Sequence, residues 1–178
     1  FAAIIEFISL AQRQADDGAA DDLATLAVVC RHMVDAVKGS KHLHKNLSRH
    51  MNSTDAQVRS EYDRIRMQVV HPLRVVGDLD SVSGDPATVL SFDDTKMELM
   101  QVYDELNREL TSHIRDRRLS PVMATSIMND SRYAYEIGMH LVTAAQLLSS
   151  LGNQAARAAA TEVALDARDL RAMSEEVQ

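Results

Sequence analysis

An all-α helical bundle is the fold class this sequence predicts, on three observations. Helix breakers and aromatic residues are scarce, with six Gly, three Pro, no Trp and 4% aromatics in 178 residues, while Ala, Leu, Met, Arg, Asp and Glu abound; that balance favours helix nearly throughout. Apolar residues recur at alternating steps of three and four along most of the chain, the period of a helix with one buried side. Capping and turn residues cut this pattern into long pieces, and no alternating strand pattern survives between them. At this length one compact domain buries its own core. The expected organisation is a single domain, residues 1–178, of five to six helices: a connecting helix in 1–18, a core bundle in 19–151 and a C-terminal helix in 152–178.

The first helix is expected over residues 1–16, with Ile4, Ile5, Phe7, Ile8 and Ala11 on its apolar side, and ADDGAADD follows as a turn with acidic capping residues. The second runs from about Asp21 to Met51 on a stripe of Leu26, Val29, Met33, Ala36, Ser40, Leu43 and Leu47. Ala36 and Ser40 are small and admit a close neighbour. Thr54 and Gln57 have capping-box spacing for the third helix, which carries Val58, Tyr62, Ile65, Val69, Leu73 and Val76. Pro72 is expected to kink that helix or mark its last turns.

GDLDSVSGDPAT, residues 77–88, reads as the clearest loop. The fourth helix is expected from Ser91 to Arg118, with Met100, Tyr103, Leu106, Leu110 and Ile114 on one side. Ser120 before Pro121 is a cap followed by an N1 proline. The fifth helix points Met123, Ile127, Ala134, Ile137, Leu141 and Leu148 inward, and Gly152 with Asn153 ends it.

A formal charge of −7 argues against a nucleic-acid partner. Cys30 is alone and forms no intrachain disulfide; within LATLAVVC it reads as a small buried apolar residue in a reducing, cytosolic compartment. No run reaches the roughly 20 apolar residues of a membrane span. The opening FAAIIEFISLA has no initiator Met, basic leader or cleavage pattern, so the chain is expected to be cut from something longer. A Gly-rich phosphate loop, a nucleophile elbow and a CxxC pair are all missing, and no enzymatic activity is expected.

Three constellations stand out. KGSKHLHKNLSRH, residues 38–50, holds cations and three histidines without a carboxylate. On a wheel at about 100° per residue, Arg31, Lys38, His42, Lys45 and Arg49 fall near one line opposite Leu43 and Leu47. They are the candidate anion- or lipid-contact residues, set against a plain solvated face. His44 falls with the apolar group and reads as a core-edge histidine, so the three histidines do not share a face and a metal cluster made from them is geometrically poor. A phosphoryl-accepting role for His42 is a lesser alternative. Asp94 with Glu98, and Glu105 with Glu109, have the spacing of bundle metal ligands, but no Glu-x-x-His faces them; a solvated charged face is preferred. Asp130 sits in the core rhythm of the fifth helix, where a carboxylate must find hydrogen-bond partners or stay at an opening in the core; it is the buried polar candidate, with structural bonding to a neighbouring helix preferred over a ligand role.

MVDAVKGSKHLHKNLSRHM, then VRSEYDRIRMQVV, and later RDRRLSPVMATSIMNDSRYAYEIGMHLV, resemble the C-terminal cytoplasmic region of bacterial sodium/phosphate cotransporter family proteins, a PhoU-like domain. The likeness covers roughly residues 20–150 and is most specific through RRLSPVMATSIMND. It implies an antiparallel PhoU-like bundle on the cytoplasmic side of the inner membrane, following a transporter's membrane domain and acting in phosphate uptake or its regulation. The implied partners are that transmembrane domain, inner-leaflet headgroups and a second copy in a homodimer.

PhoU proteins typically hold metal ions on acidic helix motifs. Here YEIGMH keeps Ile137, Gly138 and His140 but puts Tyr135 and Met139 at the acidic positions, and VKGSKH puts Lys38 and His42 there. Hard cations want carboxylate oxygens, so no cofactor and no metal is expected. Metal ions belong to the alternative reading of a soluble PhoU-type regulator.

Overall fold

The structure is a computed structural model that describes residues 1–77 and 86–151. Among these, five helices and no strand are present: α1 Ala2–Gln12, α2 Asp17–His50, α3 Ala56–Gly77, α4 Pro86–Arg115 and α5 Pro121–Ser149. The all-α bundle is therefore present as expected. The expected C-terminal helix, Gly152 and Asn153, and most of the 77–88 loop lie outside the described residues.

α5 is the central helix, packed against α2, α3 and α4, while α1 lies along α2. Cross-helix pairs give the directions. Rising numbers on α2 meet falling numbers on α5, with His32 against His140 and Asn46 against Asp130. α4 runs the same way, Lys96 meeting Gln146 and Tyr103 stacking on Tyr135. α3 runs parallel to α5, because Tyr62 meets Asp130 and Pro72 lies near Gly138. The four long helices thus alternate in direction, with α5 touching all three others.

Local chemistry explains the boundaries. Asp16 caps α2 by accepting from Ala19 N–H at 2.8 Å, so the helix starts at Asp17, four residues before expectation. Asp55 caps α3 in place of the expected Thr54–Gln57 box: its Oδ1 accepts from the N–H groups of Gln57 and Val58. A carboxylate one residue nearer the helix does the same work, and the Gln57 amide turns instead to Glu61 and His113. Pro72 falls in the last turns of α3, buried. α4 already begins at Pro86 and stops at Arg115 rather than Arg118.

A Schellman arrangement ends α4: Arg118 N–H donates to His113 C=O, and Arg117 N–H to Ile114 C=O. Arg117 occupies its left-handed position at φ 56°. Ser120 then caps α5 by accepting from Met123 N–H, with Pro121 at the first turn as expected.

The larger core gathers Leu43, Val58, Tyr62, Ile65, Leu106, Leu110, Ile127, Ala134 and Ile137; Phe92, Leu99, Val142 and Ala145 form a second cluster. The α2 seam is rotated from the expected stripe. Met33 and Ser40 are exposed, and the inward face passes through Val29, His32, Ala36, Gly39, Leu43 and Asn46, with His50 beyond them stacked on Tyr62 of α3. Gly39 is the reason, because it opens a notch that Ile137 fills: a Cβ on Gly39 would sit 2.8 Å from Ile137 Cγ1. Gly138 is the matching notch on the far side of α5, where a Cβ would meet Leu99 Cδ1 at 2.9 Å and Pro72 Cγ at 3.3 Å. Ile4, Phe7, Leu73 and Leu148, all expected inward, are exposed.

Candidate functional site

Arg31, Lys38, His42, Lys45 and Arg49 are all exposed on α2, so the helix period brings the five candidates onto one solvent-facing side. Lys41 is exposed too and widens the cationic surface. His44 also faces solvent, its ring 3.5 Å from Ser48 Oγ. This corrects the core-edge reading. The seam centres on His32, Gly39 and Asn46 rather than on Met33 and Ser40, which turns His44 away from α5.

The face is anchored to α5 by aromatic contacts. His42 stacks on Tyr133 with ring centroids 5.2 Å apart and planes 13° from parallel. The Arg132 guanidinium lies 5.6 Å from the same ring centroid, within cation–π range. Two carboxylates temper the charge. Asp35 accepts from Lys38 Nζ at 3.0 Å, and that hydrogen bond is the first cause of an Asp35 carboxyl held below its ordinary value; Glu136 lies 3.8 Å from Arg132. Cations still outnumber acids along the strip, and the stacked His42–Tyr133 pair gives it a planar, partly apolar floor. Such a surface has the charge and shape to meet an anion through several weak cationic contacts.

Beneath the strip lies a polar layer that the sequence reading found in part. Asp130 is buried, as its position in the core rhythm requires, and is held from two helices: Tyr62 Oη donates to its Oδ2 at 2.7 Å, and Asn46 Nδ2 donates to both oxygens at 3.1 and 3.2 Å. His50 stacks on Tyr62. The Tyr62 phenol is pushed well above its usual range, first by burial and then by the Asp130 hydrogen bond. Asp130 thus bonds structurally to neighbouring helices.

Three further groups escaped the sequence reading. Lys96 is buried and donates to Asp93 Oδ1 at 3.1 Å and Gln146 Oε1 at 2.6 Å. Glu61 is buried among Gln57, Arg64 and His113, and Arg64 reaches on to Glu109. His32 Nδ1 lies 2.9 Å from His140 Nδ1. Each sits at helical spacing within an apolar series, as Lys96 does between Phe92 and Leu99, and that spacing was the available signal.

Of the carboxylates expected on solvated faces, Asp94, Glu98 and Glu105 are exposed and Glu109 is half-buried; Glu98 meets His71, and Glu109 meets Arg64. Among the described residues no group of three or more His, Cys, Asp or Glu is placed to hold a metal ion. No helix among them is long and apolar enough to cross a membrane. Cys30 is half-buried.

No family model, curated protein or solved structure matches the chain.

Proposed function

We propose that this chain is a non-enzymatic, PhoU-like accessory domain of a sodium/phosphate cotransporter-type membrane protein. It works on the cytoplasmic side in phosphate uptake or its regulation, and its α2 face contacts an anionic surface, chiefly inner-leaflet headgroups. The observation that carries the reading is the exposure of Arg31, Lys38, His42, Lys45 and Arg49 along one side of a single helix, with Tyr133 fixing the middle of that side. Cations beside an anionic leaflet contribute about 1 kcal/mol each, so a strip of this size supports reversible attachment on top of a covalent link to the membrane part.

Co-sedimentation with vesicles rich in phosphatidylglycerol tests the reading. The wild-type chain binds at low salt and is released as ionic strength rises, because exposed charges are screened within about 10 Å at 0.1 M. The Lys38→Glu, Lys45→Glu, Arg49→Glu triple variant stays in solution. Equal binding by wild type and variant overturns the leaflet contact, and stoichiometric zinc, iron or manganese in chain purified without chelators favours the metal-regulator alternative instead.

A further inference from the structure

Midway along α2, a part-buried hydrogen bond of unusual composition crosses to α5. His32 Nδ1 and His140 Nδ1 stand 2.9 Å apart, with ring centroids at 5.2 Å and planes tilted by 47°. Both rings are half-buried between the helices. A neutral imidazole has one N–H donor and one acceptor, and a protonated one has two donors. The pair therefore closes only while at least one ring is neutral, with one Nδ1 donating to the other.

The surroundings sharpen that condition. Arg31 and Asp35 act on His32 from its own helix, Lys96 acts from α4, and His140 faces it from α5. Asp35 is the one anion in this set; it also acts on His140 and is already paired with Lys38. Lys96 is itself buried, its charge held by Asp93 and Gln146. A second proton on the pair would place two N–H donors face to face beside two fixed cations.

We propose that His32 and His140 form a proton-operated latch between α2 and α5, closed at neutral pH by their shared hydrogen bond and released in mild acid when both rings carry a proton. Gly39 explains why release matters to the cationic face. Two turns beyond His32 it seats Ile137 in the α2–α5 notch, so loosening the pair frees the stretch of α2 that leads into Lys38 and His42. Burial, followed by the charge of His140, lowers the proton affinity of His32 from its ordinary value of 6.5. The unfolded chain consequently binds the proton more readily than the folded one. The contribution of His32 to stability is intact above pH 6.5, fades as pH falls through that value, and is gone below the folded value.

Amide hydrogen exchange on the whole chain, at about pH 7.5 and about pH 5.5 and corrected for intrinsic rate, tests the latch. Acid should raise opening in segments 29–36 and 137–144 relative to the rest of the chain, because the open state takes up the proton more readily than the closed one. Segment 58–65 on α3, which holds neither His32 nor His140, serves as the control. His32→Gln and His140→Gln replace a titrating ring with an amide that still donates and accepts, and each should abolish the acid response. A response that is uniform along the chain, or that persists in both variants, overturns the proposal. A second readout needs no variant: the His32 imidazole resonances in the wild-type chain should report protonation below the ordinary histidine value of 6.5, and a transition at that value overturns the proposal as well.

Discussion

Tyr62 on α3 donates its phenolic hydrogen to Asp130 on α5 across 2.7 Å in the interior of the bundle. Asn46 closes the same carboxylate from α2, so three helices meet at one side chain. A buried polar group without partners is costly, whereas one that is fully bonded fixes how its neighbours dock. Asp130→Ala removes the acceptor shared by Tyr62 and Asn46, leaving Tyr62 with Ser126 alone, and is expected to lower unfolding free energy by about 2–3 kcal/mol, with Tyr62→Phe costing less because Asn46 remains. Urea denaturation of both single variants and the double variant checks this. The double should fall short of the sum of the singles, as expected for groups in direct contact.

The raised proton affinity of the Tyr62 phenol has an alkaline consequence. In the unfolded chain the phenol ionises around its ordinary value of 10.0, while in the folded chain it stays protonated to higher pH. Stability from this group is therefore complete below pH 10.0 and declines as pH rises beyond it. Thermal melts taken across that range should show a steeper alkaline loss for wild type than for Tyr62→Phe.

Gly39 should tolerate no branched side chain. Its α position faces Ile137 Cγ1, an atom next to the Ile137 branch point and not a swinging terminus. Gly39→Val improves helix propensity slightly but overpacks the α2–α5 seam, with an expected net loss of about 1–3 kcal/mol. A lower urea midpoint at unchanged slope is the signature.

Arg117 offers the opposite sign. It holds a left-handed conformation at φ 56° in the turn that ends α4, a position where glycine has no Cβ penalty. Arg117→Gly should stabilise the chain by about 0.5–1 kcal/mol, the relieved strain being partly offset by greater freedom in the unfolded state. A raised melting temperature checks it, and Arg117→Val should move it the other way.

Asp130 and His44 show how far the sequence was legible. Asp130 lay on the rhythm of Ile127, Ala134 and Ile137, and a carboxylate in that series had to be buried and bonded; the structure supplies Tyr62 and Asn46. His44 failed because the expected stripe and the observed seam of α2 share Val29, Ala36 and Leu43 and differ at the flanking positions, Met33 and Ser40 against His32 and Gly39. Local spacing cannot choose between them. The choice was made by Gly39, which admits Ile137 and so turns His32, Asn46 and His50 toward the bundle and His44 toward water.

By itself the sequence determined the helical class, the break at Ser53–Asp55, the Ser120 cap and the cationic side of α2. These rest on propensity, capping and the 3.6-residue period, which act within a few neighbours. Tertiary structure alone decided that α5 would be the central helix, that Lys96 and Glu61 would be buried beside partners from other helices, and that His32 would meet His140. Those outcomes depend on how neighbouring helices are rotated and how closely they approach. In this bundle Gly39 leaves room for Ile137 of α5, and Gly138 leaves room for Leu99 of α4 and Pro72 of α3.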